Sequence, residues 1–302
     1  MGSDCVMYKD GADITLPLSR PPAAGVRLER LPLRLPLGYR TSAYLCRPAG
    51  PTRGPVVYLH GIQSHPGWFV GSASALAAAG HAVYMPVRRG SGDNTRRRGH
   101  AFTYGQLLRD VAAACRLALR HSGGDTFHLL GVSWGGKLAA AYAAGRRRPR
   151  PATLTLVAPG IAPLVDLPAG RKLAVLAAAV LCPLLRFGIP LNDPALFTDN
   201  EAMREYLRGD SYRLRRATAG FLFASGCLDV LLRRAAAGAI DVPTTLLLAS
   251  RDRIIDGAAT RRAVQRLTGG RAVVRELAAA HTIEFAEQPE AFFQALAEAV
   301  VR

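Results

Sequence analysis

The sequence predicts an α/β protein: a mostly parallel central sheet covered by helices on both faces. Short apolar runs alternate along the chain with longer segments whose apolar positions recur at helical spacing. The run "PVVYLHG" (55–61) is apolar almost throughout instead of alternating, as in a strand buried on both faces. The chain has 302 residues, 49% of them hydrophobic, which is enough for a sizeable core.

Taken in order, residues 1–25 read as a loose N-terminal extension. Apolar segments near 26–35 and 39–46, joined by "PLGYR", read as an antiparallel hairpin. After the strand at 55–61, "GWFVGSASALAAAG" (67–80) reads as a helix ended by Gly80, and "HAVYMPV" (81–87) as the next strand. In 103–124, Leu107, Leu108, Val111, Ala114, Cys115 and Ala118 recur at helical spacing. A strand at 126–132, a helix at 134–145 and a strand at 152–160 follow. The alternation then breaks and resumes at "VPTTLLLAS" (242–250), with a helix at 257–268, a strand at 271–277 and a helix at 286–301. The sheet is therefore assigned to 26–160 and 241–302, with 161–240 inserted between its halves.

The formal net charge is +17, almost all of it from arginine; lysine occurs only at Lys9, Lys137 and Lys172. Two readings fit. Arginine and alanine are abundant together, as a GC-rich genome gives, or the charge draws the protein to anionic surfaces. No nucleic-acid motif accompanies it and the aromatics do not interleave with the arginines, so no nucleic-acid partner is expected. The runs at 88–89, 96–98 and 146–148 read as solvated loop and helix-end charge, with phosphate headgroups as the other reading. Asp93 is expected to offset nearby arginines. Five widely spaced cysteines form no metal or disulfide pattern, which fits reduced thiols and a cytoplasmic location. The first residues show no leader, and Val6 breaks the myristoylation pattern. The most apolar stretch, 173–185, contains Pro183 and is shorter than the about 20 residues that cross a bilayer.

The chemistry concentrates at "LLGVSWGG" (129–136), where a Gly-x-Ser-x-Gly string sits between a strand and a helix. Such an elbow forces Ser133 into a strained backbone that projects its hydroxyl, and bulky neighbours would collide there, hence Gly131 and Gly135. A hydroxyl needs a base to become a nucleophile. After such an elbow the chain order is serine, acid, histidine. Asp252 follows the next-to-last strand in "LLLASRDRIID", and His281 follows the last in "ELAAAHTIEF". Asp256 better suits the N-cap of helix 257–268. An oxyanion hole needs two N–H donors, expected from Trp134 and from Ile62 in "LHGIQSH". His60 reads as a buttress of that loop. Gln63, His65 and Trp68 are candidate lining of the substrate mouth. No metal or cofactor is expected.

In this order, "YLHGIQSH", "RRGSGDN", "LLGVSWGG", "LLLASRDRIID" and "AAAHTIEF" resemble the α/β-hydrolase superfamily, specifically its monoacylglycerol lipase and lysophospholipase branch, related to the serine aminopeptidases. The resemblance spans 26–302. It implies an α/β-hydrolase fold, Ser133 as nucleophile, Asp252 as acid, His281 as base, and 161–240 as a helical cap. "LNDPALFTDNEAMREYLRGDSYRLRRATAGFLFA" (191–224) is similar to the second half of that cap. Val87, Val132 and Trp134 depart from the branch's usual residues, which bears on the acyl pocket and not on the triad. The implied activity is hydrolysis of carboxylic esters of medium or long acyl chains, on a small-molecule or lipid-like substrate. A thioesterase, acyltransferase or peptidase on the same triad, or a non-catalytic ligand-binding relative, are the alternatives. The apolar stretch "KLAVLAAAVLCPLLRFGIPL" (172–191) either covers an acyl tunnel or meets a membrane surface, or else packs over the sheet as a buried helix.

Overall fold

The computed structural model describes residues 14–301. The readings on the first 13 residues, for a leader and for myristoylation, lie outside the described residues. The chain enters the sheet through an antiparallel hairpin, β1 (Arg27–Leu35) and β2 (Tyr39–Arg47), turning at Leu37 and Gly38 with φ of 62° and 66°. The alternation follows as expected: β3 (Arg53–Leu59), α1 (Val70–Ala78), β4 (His81–Pro86), α2 (Tyr104–Ser122), β5 (His128–Val132), α3 (Trp134–Ala144) and β6 (Thr153–Val157). Before α1, residues Pro66–Phe69 form a 3₁₀ turn, so the helix expected from residue 67 becomes regular only at Val70.

Between β6 and the sheet's return lie α4 (Ala169–Leu181), β7 (Arg186–Gly188), α5 (Glu201–Gly209), β8 (Arg216–Thr218) and α6 (Ala219–Arg234). The sheet resumes with β9 (Thr244–Ala249), α7 (Gly257–Thr268), β10 (Val273–Leu277) and α8 (Glu290–Val301). Asp256 caps α7 by accepting from the Ala259 N–H at 2.9 Å, as its position indicated. The last helix starts four residues later than expected, after Pro289.

The eight-stranded order is β1-β2-β4-β3-β5-β6-β9-β10, and β7 pairs separately with β8. The β1–β2 and β2–β4 pairs are antiparallel, and all other neighbours in the large sheet are parallel. This is the α/β-hydrolase fold. Val56, Val57, Leu129, Leu130, Leu154, Leu156, Leu246 and Leu247 fill the middle of the sheet without exposure. β3 lies between β4 and β5, so the chain reverses direction across the sheet there, and ligands collect at the carboxyl ends of such strands.

Three expectations are corrected. Residues 14–25 are not loose: Leu16 is buried, Ser19 N–H donates to the Gly67 carbonyl at 2.9 Å, and Arg20 donates to the Glu284 carbonyl at 3.3 Å. Arg89 is buried, and Arg88 and Arg98 are only partly exposed. Arg89 forms two bonds to Asp110 at 2.8 and 2.9 Å, Arg98 donates to the Gly92 and Tyr212 carbonyls, and Arg88 is turned inward. Arg146, Arg147 and Arg148 are exposed, and Asp93 pairs with Arg30 at 2.7 Å, both as read from sequence. Finally, α4 is not a buried helix. Only Val175 and Ala178 are buried along it, while Val180 and Leu181 are 79% and 78% exposed.

Candidate active site

Ser133 turns the chain from β5 into α3 with φ 55° and ψ −123°, a region costly for a residue with a Cβ. Its neighbours must be bare. A Cβ on Gly135 would stand 2.3 Å from the Leu59 carbonyl oxygen and 2.5 Å from that of His60. A Cβ on Gly131 would stand 2.5 Å from the Gly135 oxygen. These are backbone atoms of β3 and of the turn itself, which cannot yield without moving the sheet.

Asp252 lies just past β9 and His281 in the loop after β10. The fold brings both to Ser133. His281 Nδ1–H donates to Asp252 Oδ2 at 2.8 Å and is 3.0 Å from Oδ1. Oδ1 also accepts from the Ile254 and Ile255 N–H groups at 2.8 and 3.0 Å, so the carboxylate is held acceptor-only. With the Nδ1 proton committed, Nε2 is the acceptor, and the Ser133 hydroxyl donates to it at 2.9 Å. His281 and Asp252 side chains are 2% and 3% exposed, so bulk water does not compete for these bonds. The arrangement can take a proton from Ser133 and stabilise the imidazolium that results.

Gly61 opens the loop after β3 against Ser133: a Cβ there would lie 3.4 Å from Ser133 Cβ. Ile62, next in that loop, lines one cavity with Ser133, Trp134 and Gly160. The cavity holds about 680 Å³, within the usual range for small-molecule sites. Its far wall comes from α4, α6 and the chain between them, and much of it is apolar: Val175, Leu176, Ile189, Leu222 and Val230.

Gln63, His65 and Trp68 are not in that wall. All three are buried and turned toward the segment between β6 and β9. His65 Nε2 and Trp68 Nε1 both donate to Asp210 Oδ2, at 3.0 and 2.8 Å, while His65 Nδ1 accepts from the Gly67 N–H. These donors, the His65 bond first among them, hold the Asp210 carboxyl below its ordinary range despite burial. Gln63 Oε1 accepts from Arg213 Nε at 2.7 Å, and its carbonyl from the Leu214 N–H. The expected mouth residues are thus anchors for the inserted segment. His60 is a buttress: Nδ1–H donates to the Gly61 carbonyl at 2.9 Å and Nε2 accepts from the Arg88 N–H at 3.2 Å.

Sequence reasoning missed a polar cluster in the cavity. Lys137, one turn beyond Ser133 on α3, donates to Asp229 Oδ1 at 2.9 Å and to Ser225 Oγ at 3.2 Å, both on α6. Ser225 also accepts from Trp134 Nε1 at 2.8 Å. The available signal was a lysine four residues after the serine in a chain that otherwise uses arginine. Among the described residues no group of three His, Cys, Asp or Glu could hold a metal ion, and no helix is long and apolar enough to cross a membrane.

A strained serine at a strand–helix elbow, bonded to a histidine and an acid from the last two strand ends of this sheet, defines a serine hydrolase-type site on an α/β-hydrolase fold. Residues 50–284 match the family model described as serine aminopeptidase, S33, and the chain belongs to that family. No curated protein matches it. Among solved structures it is similar to the monoacylglycerol lipase of Paleococcus ferrophilus, with TM-score 0.73, 22% identity, and 91% of this chain and 98% of that one covered. It is also similar to a soluble variant of the Saccharomyces cerevisiae monoglyceride lipase, with TM-score 0.73, 16% identity and 97% of each chain covered. A carboxyl esterase from Bacillus coagulans aligns with TM-score 0.72 at 12% identity, over 90% of this chain and 99% of that one. At these identities the likeness is one of fold.

Proposed function

We propose that the protein is a serine esterase that cleaves carboxylic esters of medium or long acyl chains, of the monoacylglycerol or lysophospholipid kind, through an acyl-enzyme. The observation that carries this is the Ser133–His281–Asp252 array opening into a large, mainly apolar cavity. Ser133 Oγ attacks the ester carbonyl while His281 Nε2 takes its proton. The carbonyl oxygen becomes an oxyanion held by the Ile62 and Trp134 N–H groups. The intermediate collapses, the C–O bond breaks, and His281 returns the proton to the departing alcohol. Water then attacks the acyl-enzyme with His281 again as base, releasing the acid and restoring Ser133.

In this reading residues 26–160 and 241–302 are the catalytic core, and 161–240 are a cap that supplies the acyl-facing wall. The exposed apolar side of α4, together with the exposed Arg171, Arg186 and Arg216, is the part of the cap that meets a lipid surface. An aminopeptidase would instead need a carboxylate free to hold the substrate's ammonium group. The cavity's Asp166 and Asp229 are each paired with a lysine, which favours the ester.

The test is hydrolysis of p-nitrophenyl esters from short to long acyl chains by the wild type and by Ser133→Ala. The reading expects turnover with a chain-length optimum, lost by a factor of about 10⁴ or more in the variant. A wild type inert toward every ester, or a fully active variant, would refute it.

A further inference from the structure

Two neighbouring arginines follow β4 and face different fates. Arg89 meets Asp110 through two short bonds, which cancel its charge. Arg88 has no carboxylate partner among the described residues, although its Nε and Nη1 are buried and without hydrogen-bond partners. A cation in such a place is expensive. Burial pulls its pKa down to about 9, so it keeps its charge at neutral pH at a cost.

What Arg88 touches explains why it is there. Its backbone N–H donates to His60 Nε2 at 3.2 Å. That leaves the imidazole proton on Nδ1, which donates to the Gly61 carbonyl at 2.9 Å. The Gly61 carbonyl belongs to the same peptide plane as the Ile62 N–H. On the other side of Ile62, Arg88 Nη2 donates to the Ile62 carbonyl at 2.6 Å. Both peptide planes that flank Ile62 are therefore tied to one residue, and these planes aim its N–H. The guanidinium also lies over the rings of Trp134, at 5.0 Å, and Phe221 of α6, at 4.9 Å. His60 is held neutral by burial and by the Arg88 charge, which locks the direction of the hydrogen-bond chain.

We infer, on the ester-hydrolase reading above, that Arg88 is the positioning residue of the oxyanion hole, fixing the Ile62 amide and bracing Trp134, with a charge that is answered only when the oxyanion forms. The ground-state carbonyl is neutral and the tetrahedral intermediate is not. An unpaired cation held against the Ile62 carbonyl and the Trp134 ring thus favours the second over the first, which raises kcat and leaves substrate binding alone.

The test compares wild type, Arg88→Met and Arg88→Lys for kcat and KM on one p-nitrophenyl ester. It also measures affinity for an alkylboronic acid, which forms a negatively charged tetrahedral adduct on the serine. For Arg88→Met the expected result is a loss of kcat of about 100-fold, the scale of one oxyanion donor. KM should stay within about threefold, and boronate affinity should fall by about the factor lost in kcat. Arg88→Lys should lose about tenfold, because an ammonium cannot lie flat between two rings. If circular dichroism shows Arg88→Met unfolded, Arg88→Lys decides alone. A folded variant at wild-type kcat, or one whose loss lies in KM, overturns the inference while the esterase reading stands. A wild type that neither turns over esters nor binds the boronate overturns that reading, and the role of Arg88 with it.

Discussion

A single side chain at a forbidden backbone angle is the point on which this site turns. The φ of 55° at Ser133 costs on the order of 1–3 kcal/mol for any residue with a Cβ. Glycine is free of that cost, though it has more freedom to lose on folding. Ser133→Gly should therefore be more stable than Ser133→Ala by about 1 kcal/mol, the reverse of the usual order. Urea unfolding of the two variants, both lacking the hydroxyl, measures this; alanine the more stable would mean the turn carries no strain. At this scale the sequence was most legible. Gly131, Ser133 and Gly135 announce the elbow, because only bare neighbours fit beneath it. Gln63, His65 and Trp68 were misplaced for a reason that proximity to a glycine loop cannot reveal. Their polar atoms answer Asp210 and Arg213, some 150 residues away in sequence, and no local pattern encodes that pairing.

Among the elements, α1 and the loop that carries His281 are joined by one buried carboxylate. Glu284 stands three residues after His281 and accepts from the Ser72 N–H at 3.0 and 3.2 Å, capping the first turn of α1. Burial raises its pKa from 4.5 to about 7, and the Ser72 bonds offset this only in part. The folded chain therefore holds that proton more tightly than the unfolded chain. This contribution to stability is whole below pH 4.5, declines as the pH rises toward 7, and is spent above it. At about 1.4 kcal/mol per unit the swing is on the order of 3 kcal/mol. Glu284→Gln should flatten the fall in denaturation midpoint between pH 5 and 8, and an equal slope in both proteins would count against this account. Helix and strand order was readable because periodicity is local, and the hairpin, the parallel strands and the cap on α7 all stand where the pattern put them. The burial of α4 was not readable. Its apolar residues continue around most of the helix, and composition alone does not say which of them finds a neighbour.

The molecule as a whole combines a net charge of +17 with exposed apolar residues on α4, Leu173, Leu176, Val180 and Leu181. Arg171 on α4, Arg186 on β7 and Arg216 on β8 are exposed. The protein should sediment with phosphatidylglycerol vesicles much more than with phosphatidylcholine vesicles, and lose most of that binding at 0.5 M salt, where screening is short. Val180→Asp with Leu181→Asp should weaken it further at either salt. Equal binding to both vesicle types would assign the charge to composition alone. Sequence left those two origins of the charge open, since a count of arginines carries no map. The anchorage of residues 161–240 bears on whether that segment can be exchanged alone. In the inserted segment Asp210 accepts from His65 and Trp68 and Arg213 donates to Gln63, all three in the stretch after β3, while Trp134 donates to Ser225 of α6. A segment put in place of 161–240 would have to supply groups that answer Gln63, His65 and Trp68. Moving residues 161–240 of this chain into another host would therefore mean moving the stretch after β3 with them.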